Sequence, residues 1–297
     1  MKNNIKKHIN IYKKNYTYKY ILVCLIIFII GCGIMFLYSN IIYKESMQNQ
    51  SLLIPKRCIG FFACCMDILR IITTHYNKNK SIPSSIDTSQ QFSIYKPSHT
   101  NGGDIMNHFF IKENSNNDIN INGNSNSNTS IKYINNIQSK FDHYFQFRKY
   151  NEIDYLEIKP FIDTYFSPAQ EIIDIENRII AKYNININEY CAVYYRGTDK
   201  KSETKIGQFD NYINKMNELL TADNNIKFIV QSDSKEFIDT ITSKFNNSIS
   251  FDENVSSSSD KGIHNEKTPD ENYIIMKNFL AIVYLISKCK YIFLIVH

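Results

Sequence analysis

The chain lacks the short signatures that most directly announce nucleotide or metal chemistry. There is no G-x-x-x-x-G-K-[ST] and no G-x-G-x-x-G, which excludes a P-loop and a dinucleotide fingerprint. No D-x-D pair is present and no His/Cys set has zinc-site spacing, so no metal ligand is assigned and no cofactor is expected. Tryptophan is absent, and glycine (9) and proline (6) are scarce; compositional drift alone produces such a skew, and it carries no functional weight. No internal repeat is apparent. The net charge is only +5, and its positive part is concentrated at one end: residues 1–19 hold Lys2, Lys6, Lys7, Lys13, Lys14 and Lys19 with no acid. The remainder is close to neutral, which argues against a nucleic-acid-binding body.

Charge is missing altogether from Tyr20 to Tyr43, and ILVCLIIFIIGCGIMFLY (21–38) is almost wholly apolar. About 20 such residues cross a bilayer core as a helix. Lysines precede the run, and Lys44 and Glu45 cancel after it, so the positive-inside rule puts the N-terminus in the cytosol. The pattern predicts a basic cytosolic tail (1–19), a signal-anchor (20–43) and a single-pass type II protein of the secretory membrane system with its C-terminal part lumenal. A cleaved signal peptide is the competing reading; it needs a shorter apolar region and a small-x-small site, which 39–50 does not offer. In that layout Cys58, Cys64, Cys65, Cys191 and Cys289 face an oxidising lumen where pairing is possible, while the apolar surroundings of Cys191 and Cys289 suit buried free thiols.

Residues 44–135 read as a stem. Within it CIGFFACCMDILRII (58–72) is short for a second span and carries Asp67 and Arg70, which predicts a short buried or interfacial amphipathic helix. NSNNDININGNSNSNTS (114–130) is too polar to offset its ordering entropy and reads as flexible. Sequons stand at Asn128, Asn246 and Asn254, compatible with a lumenal location.

From residue 136 the pattern becomes that of an α/β domain. Ser167-Pro168-Ala169-Gln170 predicts a helix opened by an N-cap serine and an N1 proline. Strands are expected at 189–195, 226–231, 248–251 and 291–296, with helices at 209–220, 234–245 and about 272–288 between them. This alternation predicts a Rossmann-like parallel sheet with helices on both faces, whose ligands bind beyond the carboxyl ends of the strands. Two segments carry suitable chemistry there. Arg196-Gly197-Thr198-Asp199-Lys200-Lys201-Ser202-Glu203 follows the first strand: Arg196 can fork onto a phosphate, Gly197 allows close approach, Lys200 adds charge and Glu203 is a carboxylate within reach. Gln231-Ser232-Asp233-Ser234 stands at the end of the second strand and the start of a helix, and its hydroxyls and carboxylate can cap that helix or hold a ribose. The plainer readings are a solvated charged loop at 196–203, and Ser232 or Asp233 as a helix N-cap.

The order of these pieces resembles the alpha-1,6-fucosyltransferase superfamily, which includes the core and nodulation fucosyltransferases. Its strand-loop motif is similar to Val193-Tyr194-Tyr195-Arg196-Gly197-Thr198-Asp199-Lys200, its next strand to Phe228–Ser234, and its I-S-[WF] and G-[LI]-H-N elements to Ser248-Ile249-Ser250-Phe251 and Gly262-Ile263-His264-Asn265. Tyr165-Phe166-Ser167-Pro168 looks like the element preceding this domain, so the likeness covers about 160–297. The resemblance implies one half of a GT-B-like glycosyltransferase with GDP-fucose as donor and a glycan as acceptor. It implies a donor site at Arg196, Gly197, Asp199, Asp233 and His264, with Arg196 on the pyrophosphate and Lys200 assisting it, Glu203 as the base, and inverting, metal-independent transfer. The sequence departs from the family where Tyr194 replaces a histidine and Gly197 a second arginine, and where Ile282 falls at the guanine-binding acid. The sequence also ends at His297, where the family continues. A catalytically inactive, membrane-tethered binding protein is therefore the alternative expectation.

Overall fold

The computed structural model describes residues 51–56, 60–83, 85–111, 155–198, 207–258 and 262–294. The expected tail, anchor and Asn/Ser-rich segment lie outside them. Among the described residues no helix is long and apolar enough to cross a membrane. Chain contacts separate two units. The smaller, Met1–Ser51 with Pro83–Ser85, has only Ser51, Pro83 and Ser85 among the described residues. The larger, Leu52–Ile82 with Ile86–His297, carries the fold.

Its elements are helix α1 (Phe61–Asn79), helix α2 (Tyr155–Tyr165), helix α3 (Gln170–Tyr183), strand β1 (Tyr190–Tyr195), helix α4 (Phe209–Ala222), strand β2 (Lys227–Ser232), helix α5 (Lys235–Lys244), strand β3 (Ser248–Ile249), helix α6 (Pro269–Ser287) and strand β4 (Tyr291–Leu294). The strands form one parallel sheet in the order β3-β2-β1-β4. The protein is thus α/β with a parallel sheet, compatible with a Rossmann-like fold. Strand periodicity sorts the side chains. Cys191, Val193 and Tyr195 of β1, with Phe228 and Val230 of β2, pack under α4 and α5. Ala192 and Ile229 face the opposite layer, built from α1, α3 and α6.

That second layer reaches further back in the chain than the expected boundary at 136. Helix α1 is nineteen residues long and packs Phe61, Cys64, Ile68 and Ile72 into the same core as Ile175 of α3 and Leu285 of α6. Residues 86–111 join it through Phe92, Tyr95 and Phe109, all buried. Each such side chain contributes roughly 1.5–3 kcal/mol on leaving water, so this part of the expected stem is folded structure. Asp67, which suggested an interfacial face, is buried and paired with Arg70 at 2.5 Å. Cys64 is buried, Cys65 and Cys191 are buried free thiols, and Cys289 is free and half-buried.

Two caps differ from the sequence expectation. Ser167 does not cap α3, whose N-cap is Ala169. The 167–169 backbone is instead held extended against 109–111: the Ile111 N–H donates to the Ser167 carbonyl (2.8 Å) and the Ala169 N–H to that of Phe109 (2.9 Å). Helix α6 begins at Pro269, inside the expected loop, with a reciprocal Thr268/Glu271 capping box, an arrangement that satisfies two otherwise orphaned amides.

His108 anchors 106–111 to α6, its Nδ1 lying 2.8 Å from the Tyr273 hydroxyl. Burial, then the charges of Lys277 and His99, lower its pKa against the opposing pull of Glu171 and Asp104. His75 is also lowered, by burial and Lys78. Both rings charge more readily in the unfolded chain, so stability is full above the unfolded value of about 6.5 and is lost as pH falls below it. Thermal melts between pH 7.5 and 5.5 are expected to show Tm falling on acidification, with a shallower fall in His108→Asn; an unchanged slope would remove His108 from this account.

Candidate functional site

Parallel pairing sets Tyr194 beside Gln231 and Tyr195 beside Ser232, so β1 and β2 end together. A cavity of about 390 Å³ opens where they end, within the range of about 300–1,000 Å³ usual for small-molecule sites. Its lining includes Tyr194, Arg196, Thr198, Gln231 and Asp233 from the strand ends. Gly60–Ala63 contribute from the start of α1, His264 from a short turn, and Asn272, Met276 and Phe279 from α6.

The loop carrying Arg196 is tied to β2 by one carboxylate. Asp233 Oδ1 accepts from the Gly197 N–H (2.8 Å) and Oδ2 from the Thr198 hydroxyl (2.8 Å). Bonds to an ionised acceptor contribute about 1.5–3 kcal/mol each. Asp233 is therefore committed to holding the loop and does not cap α5. Ser232 does not cap it either, because its hydroxyl oxygen accepts from the Ser234 N–H at 2.9 Å. The cap is Ser234, which accepts from the Phe237 N–H at 3.4 Å. Gly197 is required by close approach: a Cβ there would lie 2.2 Å from Tyr195 Cε1. The Tyr195 ring is itself stacked on Phe237, with centroids 4.3 Å apart and planes at 16°. A second arginine at 197 has no room in this packing.

The N-terminus of α1 lines the same cavity as Arg196. Its N-cap, Gly60, has no side chain to close the helix, and the first turn holds no acid. The partial positive charge of a helix N-terminus favours an anion, and the Arg196 guanidinium adds a full charge on the same cavity. Tyr95 joins the two: its buried hydroxyl oxygen accepts from the Phe61 N–H at 3.1 Å. Burial pushes that hydroxyl up to about 12, against the Phe61 bond and the nearby Arg196 charge. Asn272 fastens the far wall, its Nδ2 donating to the carbonyls of His264 (2.9 Å) and Ile94 (3.2 Å).

Of the residues expected at the site, Arg196, Gly197, Asp233 and His264 are brought together, with Gly197 lying just behind the lining. Asp199, Lys200 and Glu203 lie outside the described residues. Among the described residues no cluster of His, Cys, Asp and Glu is placed to hold a metal ion. Sequence reasoning missed Tyr95, Asn272 and the start of α1. The one available signal for the last was a glycine followed by an apolar run with no acid in its first turn, although Tyr95 and Asn272 had none. Gln231 Oε1 is buried without a partner, which costs roughly 1–3 kcal/mol.

Gly197→Ala is expected to destabilise the protein by about 1–3 kcal/mol, as overpacking does, in urea titrations. Pairing it with Tyr195→Leu should cost less than the sum of the two single changes; strict additivity would show that the Tyr195 ring is not the obstacle. No family model and no curated protein matches the chain.

Proposed function

We propose that this chain is a membrane-anchored, fucosyltransferase-like protein that holds GDP-fucose in the cavity at the ends of β1 and β2. One observation carries the reading: Arg196 and the acid-free N-terminus of α1 line the same cavity. Two separate positive features lining one space suit a diphosphate, which Arg can grip by two parallel hydrogen bonds. The sheet order supports it, since doubly wound sheets bind nucleotides beyond their strand ends. In this reading the domain is one half of a GT-B-like glycosyltransferase and the acceptor is a glycan. Transfer inverts the anomeric carbon: Glu203 takes the acceptor proton, the acceptor oxygen bonds to that carbon, and GDP departs toward Arg196 and Lys200 without a metal. The chain then sits in the Golgi or ER membrane with this domain lumenal.

The second reading, a binding protein without turnover, is favoured by Ile282 and Gly197. Ile282 is fully buried in α6, so no carboxylate stands where the family reads guanine, and Tyr195 fills the space a second arginine needs.

Calorimetric titration of the detergent-solubilised chain with GDP tests the site. Arg196→Ala is expected to weaken binding by about tenfold or more, the loss of one charged hydrogen-bonding group; equal affinities, or none in either protein, sink the assignment. Glu203-dependent release of fucose from GDP-fucose separates the enzyme from the binding protein. Lumenal placement has its own check. Asn246 is exposed, whereas Asn254 Nδ2 is spent on the Ser232 carbonyl at 2.9 Å. Expressed in a glycosylating host, the chain should lose mass on Asn246→Gln treatment of the sequon and not on Asn254→Gln; no shift with the first would count against a lumenal domain.

A further inference from the structure

We propose that Gln231 reads a ribose hydroxyl of the nucleotide held in the cavity, an inference that rests on the nucleotide reading above. Gln231 is the penultimate residue of β2, lines the cavity and is only 2% exposed. Its amide orientation follows from a chain of bonds. The Ser232 carbonyl can only accept, so Asn254 must turn its Nδ2 to it, at 2.9 Å. Asn254 therefore presents Oδ1 to Gln231, which answers with Nε2 at 2.7 Å. The opposite end of the Gln231 amide, Oε1, is left buried with no donor. An amide oxygen has lone pairs and no proton, so the group that completes it carries an O–H or N–H.

The position of Gln231 selects between those. Its Cα partner across the sheet is Tyr194, two residues before Arg196. In a doubly wound sheet a nucleotide whose phosphates are held beyond the first strand lays its ribose toward the end of the second, where a side-chain acceptor takes a ribose hydroxyl. The usual acceptor there is a carboxylate. In this chain the nearby carboxylate, Asp233, has both oxygens engaged by the Arg196 loop, and the uncharged amide of Gln231 is the acceptor left over. Asn254 holds that amide in place and acts as a positioning residue. The ligand class that follows is a ribonucleoside diphosphate, distinguished from its deoxy counterpart by one hydrogen bond.

The test is calorimetric titration of the full chain in detergent with GDP, 2′-deoxy-GDP and 3′-deoxy-GDP, for the wild type and Gln231→Met. The wild type is expected to bind GDP about five- to tenfold more tightly than one of the deoxy analogues, the worth of a single hydrogen bond. In Gln231→Met that ratio should fall to about one. Because the ratio is taken within each protein, a variant that is partly unfolded loses affinity for both ligands alike and leaves the ratio readable. Equal affinity of the wild type for all three nucleotides, or a ratio that survives in Gln231→Met, overturns the assignment while Arg196-dependent GDP binding still stands. Absence of GDP binding by the wild type removes the nucleotide reading, and this one with it.

Discussion

A single carboxylate, that of Asp233, joins the ends of β1 and β2, and the site depends on it. Parallel pairing brings two strand ends level, but the loops that leave them are free to diverge. By accepting from a backbone amide and a hydroxyl of the β1 loop, Asp233 turns the first residues of that loop into an extension of the sheet. Arg196 is thereby carried on a rigid base rather than on a solvated tether. The same arrangement imposes the glycine at 197, since the loop passes over the Tyr195 ring too closely for any Cβ.

The cavity is closed by parts far apart in sequence. The start of α1 supplies one side and α6 another, and the two meet through Phe62 and Phe279, whose rings lie 5.8 Å apart in a T-shaped contact. Helix α6 is fixed in turn by ion pairs to α3, Lys277 with Glu171 and Lys288 with Glu176. Lys277 and Glu176 are largely buried, so each pair holds a charge that would be costly to leave alone. These contacts set the register between the layer and the sheet, and so the width of the space above the strand ends.

The sheet was legible in the sequence because its strands are apolar runs bounded by polar turns, and the structure places them within a few residues of those bounds. Asp233 and Arg196 were legible as chemistry but not as roles: a carboxylate at a strand end reads equally as a cap, a ligand or a latch, and only its hydrogen-bond partners decide. Ser167 misled because its local pattern is a helix start, while a tertiary pairing with residues 109–111 outcompetes the cap. Residues 86–111 were hidden for a different reason. They are short turns with isolated buried aromatics such as Phe92, Tyr95 and Phe109, and isolated aromatics leave no period to detect. Asn272, on the buried face of α6, gave no sign that it would bridge two turns.

The scattered origin of the lining bears on how the protein folds. The cavity needs residues from Gly60 to Phe279 together, so it is built from contacts of very long sequence separation, which form late and slowly because loop closure precedes their reward. A chain emerging from the ribosome completes β1 and β2 well before α6 exists to cover them. The apolar faces of Ala192 and Ile229 then lack the part of their cover that α6 supplies. A ligand that recognises only the finished cavity would act on this late equilibrium, drawing the nearly folded chain into its final state by mass action.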